Sequence, residues 1–366
     1  MAENKAYAFV PDYTVHPGEV LEETLAARGM QKGDLAERCG LSPKTVSLII
    51  CGKAPITPET AIQLERVLGV SAMLWSNLDT NYRLFQARLA DQNELEKNND
   101  WVSQFPVSHL IKRGILRPSK DDLDIKKQLL DFFGVGSIAA WEDTIKRMQV
   151  AYRRSPSFQS SPPSVATWLR IGELQAEEIQ CKPYNKSKFE QSLIEIKRLT
   201  CENPDKFVPK VKELCCHAGV VLVFVAELPG THLSGATRWI RSDKALIMLS
   251  LRHKSDDHLW FSFFHEAGHI LLHDKKSVFL DGSEKEENEK ELQADQFAAE
   301  MLISTGDYDE FFGGKESISA SDVESFAKEV GIARGIVVGR LQHDQKIGWS
   351  AFNGLKRRLR LVEQSN

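Results

Sequence analysis

The stretch FFHEAGHILLHD, Phe263 to Asp274, constrains this chain more than any other. Side chains four apart lie on one face of an α-helix, so His265 and His269 can offer ring nitrogens to one point, with Glu266 beside them. The remaining faces are apolar, through Phe263, Phe264, Ile270 and Leu271, as expected of a helix buried in a core. A histidine pair of this kind binds zinc only with further ligands, and a second helical stretch, EKELQADQFAAEML, presents Glu291 and Asp295 four apart. That spacing lets Glu291 complete a His2Glu site while Asp295 hydrogen-bonds the far nitrogen of a ligand histidine. Glu266 then serves as general base and not as a ligand.

Other titratable groups nearby compete for roles. Glu289 is six residues before Asp295 and falls off its helical face, and the acidic run SEKEENEKE, Ser283 to Glu291, reads as a solvated loop. His273, one turn after His269, reads as a helix-end histidine bonded to a carbonyl, with contact to metal or substrate as the alternative. His253 and His258 precede the helix and could stabilise an oxyanion, but nothing in the sequence places them. Before the helix the hydrophobic period changes from helical to alternating. GVVLVFVAEL, GATRWIRS and ALIMLSL predict three short strands that lead directly into the histidine helix.

The N-terminal residues carry a different grammar. HPGEVLEETLAARGM ends at Gly29, and two short helices flank Gly40, with Leu35, Ala36 and Cys39 inward in the first and Val46, Ile49 and Ile50 inward in the second. Ser42 caps the second helix and Pro43 fits its first turn, a pattern repeated by Thr57 and Pro58. This is a helix-turn-helix, whose second helix can enter the major groove, so Ser42, Lys44, Thr45 and Ser47 are the candidates for base or phosphate contacts. Residues 1–90 hold nine Lys/Arg against ten Asp/Glu, and the whole chain carries a formal net charge of -4, so DNA contact must come from a local patch.

At 366 residues the chain predicts several domains in series. Its start has no basic n-region before an apolar core and no apolar run approaches the ~18 residues of a membrane span, which reads as a cytoplasmic protein without a membrane partner. Six cysteines without C-x-x-C pairing read as reduced thiols. Residues 92–200 show amphipathic helices and a Ser/Pro-rich hinge, RRSPSFQSSPPS from Arg153 to Ser164, but no chemical motif; Phe132, Phe133 and Trp141 read as core. In the C-terminal segment, FAKEVGIARGIVVGRL has the shape of a helix-turn-helix pair, and Lys356, Arg357, Arg358 and Arg360 read as a basic helix end on a solvated face.

Two resemblances join these readings. LAERCGLSPKTVSLIICGKAPITPETAIQLERVLGVSAMLWSNLDTNYRLFQARL, with HPGEVLEETL before it, resembles the Cro/C1-type helix-turn-helix of the HigA antitoxin family. That resemblance implies operator DNA as partner, homodimerisation, and often a toxin. WFSFFHEAGHILLH followed by ELQADQFAAEMLIS resembles the ImmA/IrrE zinc metallopeptidases, which implies a thermolysin-like core, Zn2+ held by His265, His269 and Glu291, and Glu266 as the base. In that family a repressor protein is the substrate of the best understood members. One departure is MLIS where the family's tail commonly runs to LLMP.

The fold expected is therefore multidomain and mainly α. An all-α helix-turn-helix occupies 1–90, a helical middle 91–205, an α+β zincin-like domain 206–305, and a small helical segment 306–366. The function expected is a DNA-binding regulator fused to a zinc-dependent peptidase that cuts a regulatory protein. The alternative is an antitoxin and autorepressor whose zinc domain is a binding platform with little turnover.

Overall fold

The computed structural model describes residues 14–152, 161–273, 284–315 and 317–361. The chain divides into two compact units, Met1–Asn99 and Asp100–Asn366.

The first unit holds helices α1 (Pro17–Ala27), α2 (Lys32–Cys39), α3 (Pro43–Ile50), α4 (Pro58–Leu68) and α5 (Ala72–Glu96). The punctuation expected from sequence is present. Gly40 and Gly69 end α2 and α4 in the left-handed conformation, and the hydroxyls of Ser42 and Thr57 accept from the backbone N–H three residues on. One apolar core, including Leu21, Leu35, Val46, Ile49, Leu64 and Trp75, gathers the inward faces. Buried Asp79 ties α5 to the loop before α4, accepting from Ile56 N at 3.2 Å and from Arg83 Nε at 2.7 Å.

The second unit begins with α6 (Val107–Lys112), α7 (Asp122–Phe133), α8 (Ile138–Tyr152), α9 (Pro162–Glu178), α10 (Lys186–Leu199) and α11 (Pro204–His217). Trp101, Phe105, Phe132 and Trp141 are buried together near its start, as core. Of the Ser/Pro-rich hinge, Arg153–Ser160 lies outside the described residues, and Pro162 and Pro163 open α9. Three strands follow, β1 (Val220–Phe224), β2 (Gly235–Arg241) and β3 (Lys244–Leu249), in the order β1-β3-β2. β1 runs parallel to β3 with Leu222 opposite Ile247, and β2 runs antiparallel to it with Thr237 opposite Ile247. β3 is therefore central and buried along its whole length, and β2 is an edge.

α12 (Asp256–Leu272) lies on this sheet, followed by α13 (Glu284–Leu302), α14 (Thr305–Phe312), α15 (Ala320–Val330) and α16 (Arg334–His343). The acidic run read as a solvated loop is instead helical from Glu284 onward, because it continues without interruption into the buried turns of α13. Val323, Phe326, Val337 and Leu341 share one core with β1, β3 and α12, so the helical pair near the C-terminus is packed against the histidine helix.

Two further features differ from the expected ones. Cys181 and Cys216 are joined as a disulfide, where reduced thiols were expected. The segment after α9 runs beside the end of α11, with Lys182 N donating to Cys216 O at 3.2 Å and Asn185 N to Ala218 O at 3.0 Å, which sets the two Cα atoms 4.8 Å apart. The basic cluster Lys356–Arg360 is not a helix end but an extended strap, bridged at Arg358 to Ser255. Lys356 Nζ donates to Asp257 Oδ2 and to Gln342 Oε1, both at 2.7 Å, and Arg357 N donates to Asp256 Oδ1 at 2.9 Å. Gly335 and Gly339 let α16 approach these acids, since a Cβ at either would meet Asp256 Oδ1 at 2.3 Å or Asp257 Oδ2 at 2.9 Å. The charges that looked solvated thus clasp the start of α12.

Burial alone would raise the Asp257 carboxyl, but the Lys356 ammonium and the Ser255 hydroxyl outweigh it and hold its pKa below the ordinary value. A depressed folded pKa contributes stability above the unfolded value of about 3.9, lost as pH falls through the lower folded value. Lys356→Met leaves Asp257 buried and unpaired, and should lower the stability of the second unit by about 3 kcal/mol at neutral pH. Urea unfolding of the full chain, read by amide exchange in α12 and α16, measures it; the deficit should begin to shrink as pH falls through the raised pKa of the unpaired carboxyl in the variant and go on shrinking through the depressed pKa of the paired one.

Candidate functional site

The centre of the second unit is the crossing of α12 and α13. Gly268 makes it close, because a Cβ there would stand 3.1 Å from Phe297 Cδ1 and 3.2 Å from Ala294 Cα. Ala294 and Ala298 are fully buried at the same seam. With the axes this near, Glu291 on α13 reaches the two histidines of α12. His265 Nε2 lies 3.3 Å from Glu291 Oε2, His269 Nε2 lies 3.4 Å from Glu291 Oε1, and the two Nε2 atoms are 3.0 Å apart.

A tetrahedral ion with bonds of about 2.0–2.1 Å spaces its ligand atoms roughly 3.3 Å apart. The three measured separations fall close to that figure, so the donor set fits a zinc-like cation without rearrangement of the backbone. Among the described residues His265, His269 and Glu291 are the one group of His, Cys, Asp or Glu so gathered. Three ligands leave a fourth position open, the arrangement of catalytic rather than structural zinc. Glu291 itself is exposed, whereas the two histidines are half-buried.

The surrounding groups orient the trio. Asp295 Oδ1 accepts from His265 Nδ1 at 2.8 Å, as the four-residue spacing from Glu291 predicts. On the other ligand, His269 Nδ1 is 3.0 Å from His273 Nδ1, and His273 Nε2 is 3.3 Å from Gln293 Oε1. The His273 ring thus lies between the His269 ring and the side-chain carbonyl of Gln293. Gln293 was not foreseen, because only the crossing of the two helices brings it within reach. Glu289 has no place in the trio. His253 and His258 stack on each other at 4.1 Å beside Arg252, Lys254 and Ser262, as a pair separate from the trio.

Glu266 points under the edge strand and is 7% exposed. Gly235 of β2 leaves room for it, since a Cβ there would stand 2.7 Å from Glu266 Oε1, and Thr237 Oγ1 donates to the Glu266 carbonyl at 3.0 Å. Burial pushes the Glu266 carboxyl up to about 7 against the pull of His265. Burial opposes the charged form of His265 too, but the carboxylates of Asp295 and Glu291 and the charge of Glu266 overcome it and push the ring up to about 10. His269, equally buried and beside that cation, is lowered. A carboxyl poised near neutrality next to a trio whose geometry fits a cation is suited to taking up and releasing a proton.

In the first unit, Ser42, Lys44 and Ser47 stand exposed at the start of α3, with Thr45 half-buried. All three hydroxyls are engaged within the helix itself, Thr45 Oγ1 lying 2.8 Å from Ser42 Oγ. Ser42 Oγ accepts from Thr45 N at 3.0 Å, and Ser47 Oγ donates to Pro43 O at 3.0 Å. Ser42 thus shapes the helix start that Lys44 projects from. Ser42→Ala should cost about 1 kcal/mol of this unit's stability, measured as faster amide exchange across residues 42–50 of the full chain with the second unit unaffected.

Comparison with known proteins agrees with both halves. Residues 218–342 match the peptidase family described as the IrrE N-terminal-like domain, and residues 21–75 match the helix-turn-helix family. The chain is 35% identical over 71 residues to the HTH-type transcriptional regulator YddM of Escherichia coli (strain K12), covering 19% of this chain and 76% of that protein. It is likewise 35% identical over 85 residues to virulence-associated protein I of Dichelobacter nodosus, covering 23% of this chain and 76% of that one. A solved addiction module antidote protein of a HigA family from Coxiella burnetii is 30% identical over 23% of this chain and 92% of its own, with a TM-score of 0.21. Among the described residues no helix is long and apolar enough to cross a membrane. The chain belongs to the helix-turn-helix family of DNA-binding regulators through residues 21–75, and joins to it an IrrE N-terminal-like peptidase domain over residues 218–342.

Proposed function

We propose that the chain is a cytoplasmic regulator that binds operator DNA as a homodimer through its first unit and hydrolyses a peptide bond in a regulatory protein at a zinc site in its second. The observation that carries the peptidase reading is the buried Glu266 carboxyl on the same helix as His265 and His269, beside the trio they form with Glu291. His265, His269 and Glu291 would hold the ion, which when bound polarises a carbonyl and makes a water acidic near neutral pH.

The protein's own groups do the rest. Glu266 accepts a proton from the attacking water and later delivers it to the departing amide nitrogen, so that one carboxyl serves as base and then acid. Asp295 holds the His265 ring by its Nδ1–H. β2 is an edge of the sheet and passes over Glu266, which suits an extended chain that adds as a further strand. A peptide segment is the substrate class this geometry favours.

In the first unit, Lys44 at the start of α3 supplies charge toward phosphate, with Thr45 and Ser47 beside it on the same helix and Ser42 as the cap. Dimerisation is supported by α5, where Leu74, Leu84 and Leu89 are all exposed on a helix of 25 residues.

Glu266→Gln keeps the shape of the side chain and removes the proton carrier. It should retain zinc and lose cleavage by at least 100-fold, read by comparing N-terminal peptides in cells expressing either form. Equal products from both forms would reject the peptidase, and no products from either would favour an antitoxin whose zinc domain binds a toxin without turnover. Lys44→Ala should weaken binding to the chain's own promoter uniformly across sequences and reduce the slope of log affinity against log salt by about 1, measured by fluorescence anisotropy.

A further inference from the structure

We propose that His273 and Gln293 act as a positioning relay that locks His269 in the one tautomer able to face a metal ion with a lone pair. The inference rests on the zinc reading above and adds two residues that the His265, Glu266, His269 and Glu291 set does not include.

The amide oxygen of Gln293 only accepts, so the His273 Nε2 atom 3.3 Å away carries its hydrogen and donates. A neutral imidazole with hydrogen on Nε2 has its lone pair on Nδ1. His273 Nδ1 therefore accepts, and His269 Nδ1, 3.0 Å from it, must be the N–H that donates. That leaves the lone pair of His269 on Nε2, the atom that lies 3.4 Å from Glu291 Oε1 and 3.0 Å from His265 Nε2. Asp295 achieves the same for His265 in a single step, since a carboxylate accepts directly from Nδ1–H at 2.8 Å. The two ligand histidines are thus oriented by different means, one by a carboxylate and the other by a neutral two-member relay.

The local fold serves this contact. His273 ends α12 in extended conformation, with φ -111° and ψ 153°, while its backbone N–H still donates to His269 O at 3.3 Å. The ring is held beside the turn it has just left. Gln293 comes from α13, midway in sequence between Glu291 and Asp295, so the helix that brings a ligand also brings both orienting groups. Without an acceptor at Gln293, His273 could carry its hydrogen on Nδ1, and His269 would then place its own hydrogen on Nε2 and block the ion's position.

Two variants of the full chain separate this from a packing role. Asparagine sets its Oδ1 acceptor about where the histidine Nδ1 sits, whereas leucine fills similar space without an acceptor. Competition with a chromophoric chelator should show zinc affinity lowered 10- to 100-fold in His273→Leu and in Gln293→Met, and within a few-fold of wild type in His273→Asn and Gln293→Glu. In metal-free chain labelled with ¹⁵N-histidine, long-range ¹H–¹⁵N spectra should show His269 as the Nδ1–H tautomer in wild type and His273→Asn, and a mixture in His273→Leu. Zinc affinity unchanged in His273→Leu, or lowered equally in His273→Asn, would overturn the relay. A wild-type chain that shows the tautomer but binds no zinc would instead overturn the peptidase reading and leave the relay standing.

Discussion

The site depends on how closely two helices cross. Glu291 is 57% exposed in its side chain, so nothing in its own burial holds it near the histidines. Its position is inherited from the α12–α13 seam, where Gly268 admits the backbone of α13 and Ala294, Phe297 and Ala298 fill the contact. Small side chains at such a seam let helix axes approach at the low end of the usual 8–10 Å range, and the carboxylate arrives with the helix. A larger residue at Gly268 would push α13 outward and carry Glu291, Gln293 and Asp295 away together. Apolar packing, not attraction between charges, therefore sets the distances on which the polar site relies.

The other end of α12 is fixed by different means. Asp256 and Asp257 open the helix, and the strap at Lys356–Arg357, some hundred residues later, supplies their partners. Buried Gln342 holds that strap in turn, donating from Nε2 to the carbonyls of Trp349 and Ala351 and accepting from Lys356 at Oε1. A buried ion pair of this kind gains little net stability over an apolar contact of the same shape, but it is costly to break by halves. Its effect here is registration: it fixes where α12 begins relative to α16, and the histidines three turns further on inherit that register. The segment that looked like a solvated tail is thus part of the support of the site.

These two constraints explain which parts of the molecule could be read beforehand. The caps at Ser42 and Thr57 and the three strands follow from spacings within one helix or strand, where geometry is set by three or four neighbouring residues. His265 with His269 and Glu291 with Asp295 are four-residue spacings of the same kind, but their meeting depends on the crossing of α12 and α13. The clasp of Asp257 by Lys356 joins positions 99 residues apart, and no local pattern announces it. Gln293 falls in the same class, since a glutamine on a polar helix face is ordinary until the crossing places it against His273. His273 itself was visible as one turn beyond His269, but its partner was not, and the partner decides its role. The acidic run before Glu291 misled because charge density signals exposure and not the absence of a helix.

The carboxylates of Asp295 and Glu291 also set where hydrogens lie on the histidines. Asp295 and Glu291 raise the His265 ring until it carries a proton, and the hydrogen on its Nε2 is directed at His269 Nε2, 3.0 Å away. Every hydrogen in the line then has one consistent direction. His265 donates to Asp295 and to His269, His269 donates to His273, and His273 donates to Gln293. The positive charge of His265 sits within the trio, and His265, His269 and Glu291 are the residues that would hold a cation. Proton and cation are thus alternative occupants of one electrostatic site, and loading the second requires release of the first from His265. Because His269 already faces inward with its lone pair, only one of the two rings must lose a hydrogen from Nε2. The relay lowers the cost of loading by removing in advance the half of the rearrangement that would otherwise fall on His269.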